Sequence, residues 1–187
     1  LAQEYVESDF VLWLDADERV TDELKVSIQQ AVEKNEPNTL YSICRLSWVF
    51  GRYGNNFVKT MLRLAKERDE LSVVDDQFGA PTSAEAIAQQ LLACVVSNNA
   101  EYGVCHLQSG PGVTWHSFAL NIFSYAVECG VISQVHVIHA VSSKQFVSAA
   151  KRPKNSKLDV GVSNKFDRLD WRESLKSHIE FFITKGS

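Results

Sequence analysis

RLSWVFGRYGNNFVKTMLRLAKERDELSVVDDQFGAPTS, residues 45–83, is the stretch whose pattern predicts the fold. An apolar, β-favouring run over residues 40–50 ends at a glycine-containing segment and predicts a strand that enters a loop. A helix follows, because Asn55 or Asn56 can accept a hydrogen bond from the first turn and apolar residues then recur at helical spacing. The next β-favouring run, residues 71–74, leads into a turn-rich polar loop. The stretch therefore alternates strand and helix.

The polar loop ends at Thr82, which has capping-box spacing with Glu85 and predicts another helix. Strand, helix, strand, loop and helix in this order are typical of a three-layer α/β fold with a mostly parallel sheet. Ligands of such sheets bind beyond the carboxyl ends of the strands, and Trp48 and Gln77 fall near those ends. This edge of the sheet is the predicted site.

The region before this stretch predicts one further strand-helix unit. Residues 10–14 read as a buried strand that ends in the acidic run LDADE, and Thr21 can cap the following helix. Parallel strands need a crossover connection, which is usually a helix. We therefore expect residues 10–14 to lie beside the strand at residues 40–50.

The same signals predict the elements of the second half. Thr114 can cap a helix that ends at Gly130, and Asp170 with Glu173 can cap the last helix. The predicted elements are a helix to about residue 96, strands at 104–107 and 135–139, helices at 115–129 and 171–185, and an ordered loop at 140–162.

Composition limits the class of protein. The chain has 187 residues, 45% of them hydrophobic, which is enough to bury the core of about one domain. The net charge of -4 provides no basic surface for nucleic acid, and no apolar run is long enough to span a membrane. The four cysteines form no Cys-x-x-Cys pair, which favours reduced thiols. We therefore expect a cytoplasmic globular protein that binds neither nucleic acid nor membrane.

Three motifs in order carry a family resemblance: SWVFGRYGNNFVKTM, DDQFGAPTSAE and RPKNSKLD. Together they resemble the C-terminal half of dTDP-4-dehydrorhamnose reductases, which are extended short-chain dehydrogenase/reductases, over about residues 40–182. The resemblance implies a truncated Rossmann-like fold with the substrate-domain elements of that family. It also implies a place in the metabolism of dTDP-rhamnose, a nucleotide sugar of cell-surface polysaccharides, and a family that uses NAD(P)H and magnesium.

The resemblance assigns roles to four residues. Trp48 would lie against the sugar of a bound dTDP-sugar, and Gln77 and Thr82 would form the wall of the cleft. Arg152, with the lysines that follow it, would contact the diphosphate. The alternatives are a core tryptophan, ordinary loop and cap residues, and a solvated basic loop.

The catalytic parts of the resembled family are absent from this sequence. No glycine cluster opens a helix to hold a dinucleotide pyrophosphate, and no tyrosine has a lysine four residues later. We therefore assign no catalytic and no cofactor-binding residue. The expectation is a chain that binds no cofactor and is inactive alone.

The acidic run near the N-terminus carries a second resemblance. The strand followed by LDADE resembles the metal-binding segment of family-two glycosyltransferases with the A-type fold, over about residues 5–52. By that resemblance Asp15 and Asp17 would hold a divalent cation. The alternative is a solvated acidic strand end before a helix N-terminus. The two resemblances together divide the chain into residues 1–39 and residues 40–187.

Three functions remain open from the sequence. The chain is a reductase-like protein without its cofactor half, a glycosyltransferase-like enzyme, or a non-catalytic module for dTDP-sugar binding or dimerisation. A homo-oligomer is expected, because a sheet that lacks strands exposes edges and apolar surface. The resembled reductases include magnesium-bridged dimers, in which Glu85 matches one acidic position, although the capping box gives it a simpler role.

Overall fold

The structure is a computed structural model that describes residues 11–12, 42–96, 103–134, 137–145, 152–161 and 170–185. Four helices are described: α1 (Phe57–Glu67), α2 (Ala84–Val96), α3 (Trp115–Glu128) and α4 (Trp171–Lys185). The strands are β1 (Val11–Leu12), β2 (Ser42–Leu46), β3 (Val49–Phe50), β4 (Glu70–Val74), β5 (Phe78–Gly79), β6 (Thr82–Ser83), β7 (Gly103–Leu107), β8 (Val113–Thr114) and β9 (Val137–Val141). No described helix is long and apolar enough to cross a bilayer.

Parallel strand pairs dominate the described residues. The strands β1, β2 and β7 form a parallel sheet in that order, with Val11 opposite Ile43. The pairs β3–β6 and β4–β9 are also parallel, and β5–β8 is antiparallel. The predicted α/β fold with mostly parallel strands is confirmed, as is the pairing of the N-terminal strand with β2. The predicted helix between these two strands lies outside the described residues.

The predicted single strand over residues 40–50 is wrong, because the chain turns at Trp48. Trp48 has a φ of 47°, a left-handed conformation that an extended strand does not contain. Residues before it belong to β2 and residues after it belong to β3, which pairs with β6 in a separate sheet. The Thr82 N–H donates to the Trp48 carbonyl oxygen over 3.1 Å, which holds the turn. The turn places Trp48 between two sheets.

Helix ends match the sequence in three places and differ in one. Asn56 accepts from the Lys59 N–H to cap α1, Thr114 accepts from the Ser117 N–H to cap α3, and Asp170 accepts from the Arg172 N–H at the start of α4. The predicted capping box of Thr82 and Glu85 is wrong. Ser83 caps α2 instead, since its hydroxyl accepts from the Ala86 N–H over 3.1 Å.

The main core lies around α3, which packs against both α1 and α4. Its middle is aromatic and aliphatic, with Phe118, Ile122, Phe123 and Leu175 at most 1% exposed. A second, smaller cluster lies between the first sheet and α2; it consists of Cys44, Leu46, Ile87, Cys105 and Leu107. Among the predicted site residues, Trp48 follows β2, Gln77 follows β4, Thr82 begins β6 and Arg152 begins the 152–161 segment.

Candidate functional site

Three loop segments that are distant in sequence meet beyond the strand ends, at residues 47–48, 77–82 and 152–157; we call them the loop junction. Ser47 Oγ donates to the carbonyl oxygen of Ser156, and Trp48 Nε1 donates to Ser156 Oγ, both over 2.9 Å. The Phe78 N–H donates to the Lys154 carbonyl oxygen, and the Ser156 N–H donates to the Phe78 carbonyl oxygen, both over 2.8 Å. The three motifs that carry the reductase resemblance therefore form one hydrogen-bonded unit.

Trp48 is packed on several sides within the loop junction. Its indole stacks on Trp115 with ring centroids 3.5 Å apart and an angle of 9° between the planes. Gly79 lies so close that a Cβ there would stand 2.1 Å from Trp48 Cε2. Because only 8% of Trp48 is exposed, its indole is a packing group in this structure. Contact of Trp48 with a sugar stays a prediction.

Thr82 is also a buried, hydrogen-bonded residue. It is 2% exposed, its hydroxyl donates to the Ala80 carbonyl oxygen, and it accepts from the Ser109 N–H over 3.2 Å. Thr82 thus joins the loop junction to the loop after β7. Gln77 is half-buried in the same segment, and its place in a cleft wall stays a prediction.

Asp76, the neighbour of Gln77, fixes the segment after β9. It accepts from the Ser143 N–H over 2.8 Å and from the hydroxyls of Ser142 and Ser143. The Ser143 N–H, followed by these hydroxyls, lowers the pKa of the Asp76 carboxyl below its usual value, although desolvation acts in the opposite direction. Asp76 is therefore a structural anion at neutral pH.

Arg152, Lys154 and Lys157 are the cations of the loop junction, and all three side chains are exposed. Their backbone is held, because the Lys154 carbonyl and the Ser156 amide both pair with Phe78. An exposed guanidinium and two ammonium groups on a fixed loop are able to contact an anion such as a diphosphate. Arg152 remains the predicted anion-binding residue.

A cavity of about 1260 Å³ borders the 152–161 segment. It is lined by Gln108, Gly110, Pro111, Asn155, Lys157, Leu158, Asp159, Val160, Gly161 and Asp170. Within this lining, Gln108 Oε1 accepts from the Leu158 N–H over 2.7 Å. Among the residues with predicted roles only Lys157 lines this cavity. The structure thus brings Trp48 and Thr82 into contact but places them, with Gln77 and Arg152, outside the cavity.

Sequence reasoning missed the residues that connect the site. Ser156 receives the Trp48 N–H, Trp115 covers the indole and Gly79 makes room for it. The motifs containing Ser156 and Gly79 were visible in the sequence, but these contacts depend on residues far apart in the chain. Trp115 was visible only as the first residue of a helix.

The surroundings of Glu85 show whether this position could hold the magnesium ion of the resembled reductases. Glu85 Oε1 lies 3.4 Å from Arg52 Nε and 3.9 Å from Nδ1 of His178, which is 2% exposed. Magnesium needs several oxygen ligands, and a guanidinium repels a cation. The described residues contain no cluster of three His, Cys, Asp or Glu side chains able to hold a metal ion. The surroundings of Glu85 therefore do not fit magnesium, and Asp15 and Asp17 lie outside the described residues.

Comparison with known proteins gives one family. The family of the RmlD substrate binding domain matches residues 20–183. The chain is 44% identical to dTDP-4-dehydrorhamnose reductase of Aggregatibacter actinomycetemcomitans over 72% of this chain and 48% of the relative. It is 38% identical to the reductase of Shigella flexneri over 92% of this chain and 60% of the relative.

A solved structure agrees in fold. The crystal structure of dTDP-4-dehydrorhamnose reductase from Bacillus anthracis in complex with NADP superposes with a TM-score of 0.65 at 36% identity. The superposition covers 87% of this chain and 54% of that protein. The chain therefore spans about half to three fifths of the length of its relatives. From the match to residues 20–183, together with these identities and this fold, we conclude that the chain belongs to the RmlD substrate binding domain family.

Proposed function

We propose that this chain is the dTDP-sugar-binding part of a dTDP-4-dehydrorhamnose reductase-type protein. The observation that carries the proposal is the loop junction, in which the motifs around Trp48, Phe78 and Ser156 are held together by hydrogen bonds. The relatives that match this part of the chain are named dTDP-4-dehydrorhamnose reductases, and that name gives a dTDP-sugar as their substrate. A fixed loop arrangement with exposed cations supports ligand binding at this edge of the sheet.

The chemistry of the loop junction suits the diphosphate of a nucleotide sugar. Arg152 presents a guanidinium that can bind phosphate oxygens in pairs, and Lys154 adds charge nearby on the same loop. Gln77 supplies an amide that can donate to or accept from sugar hydroxyls. Trp48 supports this loop, because its N–H donates to the Ser156 hydroxyl. We infer that binding is weak, about millimolar, since part of a cleft wall binds less tightly than a closed cleft.

We also propose that the chain alone does not reduce the sugar. Hydride transfer requires a nicotinamide held against the carbonyl and an acid to protonate the product. This sequence contains neither a glycine-rich pyrophosphate turn nor a Tyr-x-x-x-Lys pair. The loss of general acid catalysis alone costs about 10²–10⁴ in rate. Turnover with NADH or NADPH is therefore expected near background.

The proposal is tested by titrating the chain with dTDP-rhamnose and, in parallel, by following the oxidation of NADPH with the 4-dehydro sugar. We expect amide shifts in NMR spectra at residues 77–82 and 152–157. Arg152→Ala should weaken binding several-fold, whereas Arg63→Ala, which removes an exposed arginine paired with Glu67 on α1, should not. Equal affinity of both variants, or measurable turnover, would contradict the proposal.

The other hypotheses remain proposals of lower rank. A homodimer is expected to appear in light scattering at micromolar concentration, and a monomer mass would count against it. The glycosyltransferase role of Asp15 and Asp17 and the division of the chain at residue 39 stay predictions, because no observation on the described residues favours them. The third hypothesis, a non-catalytic module that binds a dTDP-sugar, is compatible with the loop junction. It differs from the main proposal only in that the module would not be part of a reductase.

A further inference from the structure

Two cysteines face each other in the first parallel sheet, outside the loop junction. Cys44 on β2 is directly opposite Cys105 on β7 in the strand register. Their Sγ atoms are 2.9 Å apart, and the residues are 4% and 9% exposed. Both are thiols in this structure. The pair therefore lies side by side in a region that water hardly reaches.

The backbone spacing at this position suits a disulfide bond. Neighbouring strands lie about 4.8 Å apart, which falls within the range of about 4.4–6.8 Å for the Cα atoms of bridged cysteines. The sulfur atoms of a disulfide are separated by about 2.0 Å, so these two need to approach by roughly 0.9 Å. A rotation of the side chains provides such an approach without displacement of a strand.

Cys129 has a different environment from the pair. Cys129 lies at the C-terminal end of α3 and is half-buried. Burial raises the pKa of its thiol, and the carboxylates of Glu180 and Glu128 raise it further. A high pKa lowers the fraction of reactive thiolate. Cys129 is therefore a useful comparison for the reactivity of the pair.

We propose that Cys44 and Cys105 are an oxidisable dithiol that peroxides convert into an intrachain disulfide. One thiolate attacks the O–O bond of hydrogen peroxide and becomes a sulfenic acid, releasing hydroxide, which takes up a proton to give water. The second thiolate then attacks that sulfur and displaces a second water, with one proton supplied by solvent. Each cysteine loses one hydrogen overall, and the peroxide is reduced to two water molecules.

The location links the dithiol to the candidate site. Cys44 lies on β2, four residues before Trp48. Cys105 lies on β7, three residues before Gln108, whose amide oxygen accepts a hydrogen bond from Leu158 in the 152–161 segment. A disulfide would join the two strands that lead into the loop junction and the cavity. Leu46, Ile87 and Leu107 pack around the pair, so oxidation requires a local opening of the sheet and is expected to be slow.

The test oxidises the whole chain in its folded state. The reduced chain is treated with hydrogen peroxide, the remaining thiols are alkylated in denaturant, and the digested peptides are mapped by mass spectrometry. We expect the main cross-linked product to join the peptides of Cys44 and Cys105, with a mass lower by two hydrogen atoms and full reversal by dithiothreitol. Recovery of both cysteines as alkylated thiols would overturn the proposal.

A second arm separates the native geometry from chance pairing. The same oxidation in concentrated urea allows any two of the four cysteines to meet, so a mixture of pairs is expected there. The folded chain should instead give mainly the Cys44–Cys105 pair, and an identical mixture in both conditions would contradict the proposal. Cys129→Ala should retain the cross-link and Cys105→Ala should lose it. The peptide maps of the wild-type chain, folded and in urea, are sufficient to test the proposal. The test therefore does not depend on whether a variant folds.

Discussion

Replacement of Gly79 by alanine tests the packing that supports the loop junction. An added Cβ would stand 2.1 Å from Cε2, 2.4 Å from Nε1 and 2.5 Å from Cδ2 of Trp48, far inside contact distance. The indole has little room to move, because Trp115 stacks on it at 3.5 Å and its N–H is bonded to Ser156. The variant must therefore displace either the Trp48 ring or the β5 backbone.

The expected loss of stability follows from these contacts. Overpacking in a filled core costs about 1–3 kcal/mol, and a buried indole N–H left without its acceptor costs about 1–3 kcal/mol more. We expect Gly79→Ala to lower the free energy of unfolding by about 2–6 kcal/mol. In a domain of this size each kcal/mol changes the midpoint of thermal unfolding by about 2–4 °C.

The measurement is urea unfolding followed by tryptophan fluorescence, with hydrogen exchange at the Ser156 amide as a local probe. The matched control is Gly54→Ala, because Gly54 has a φ of 67° and no atom lies within 4 Å of its added Cβ. The control pays only the cost of a left-handed alanine, about 1 kcal/mol. If Gly79→Ala is no less stable than the control, the packing argument for Trp48 is wrong.

Two further predictions concern single hydrogen bonds and charges. Ser156→Ala should destabilise the chain by about 1–3 kcal/mol, because it leaves the Trp48 N–H without an acceptor, and urea unfolding checks the loss. His178→Gln should flatten the loss of stability between about pH 7.5 and about pH 5.5. Burial lowers the pKa of His178 in the folded chain, against the opposing effects of the Gly51 carbonyl and Glu85. The unfolded chain therefore takes up a proton near pH 6.5 that the folded chain takes up only at lower pH, so wild-type stability falls as the pH decreases through this window. Parallel slopes for the variant and the wild type would contradict this reasoning.

Local signals in the sequence were sufficient for the four described α-helices and their order. Asn56 and Thr114 cap helices as predicted, because a cap depends on residues only three positions apart. Gly130 follows α3 with a φ of 73°. The residue after the end of a helix often has this left-handed conformation, which glycine adopts readily. The pairing of the N-terminal strand with β2 followed from the rule for parallel crossovers. Such features need little information from distant parts of the chain.

The three ordered motifs also predicted which segments form the loop junction. They indicated the family that the comparison over residues 20–183 gives. What they did not indicate was how the motifs touch, because Trp48 and Ser156 are separated by 108 positions. The sequence therefore predicted the members of the loop junction but not its hydrogen bonds.

Tertiary structure decided the remaining features. The turn at Trp48 interrupts a run that is β-favouring throughout, since the turn is fixed by the contact of its carbonyl with Thr82 rather than by local preference. Likewise, Ser83 caps α2, while the hydroxyl of the predicted cap Thr82 accepts from the distant Ser109 N–H. The approach of Cys44 to Cys105 depends on a strand register between residues 61 positions apart, which no local pattern specifies. In each case the deciding contact joins segments that only the folded chain brings together.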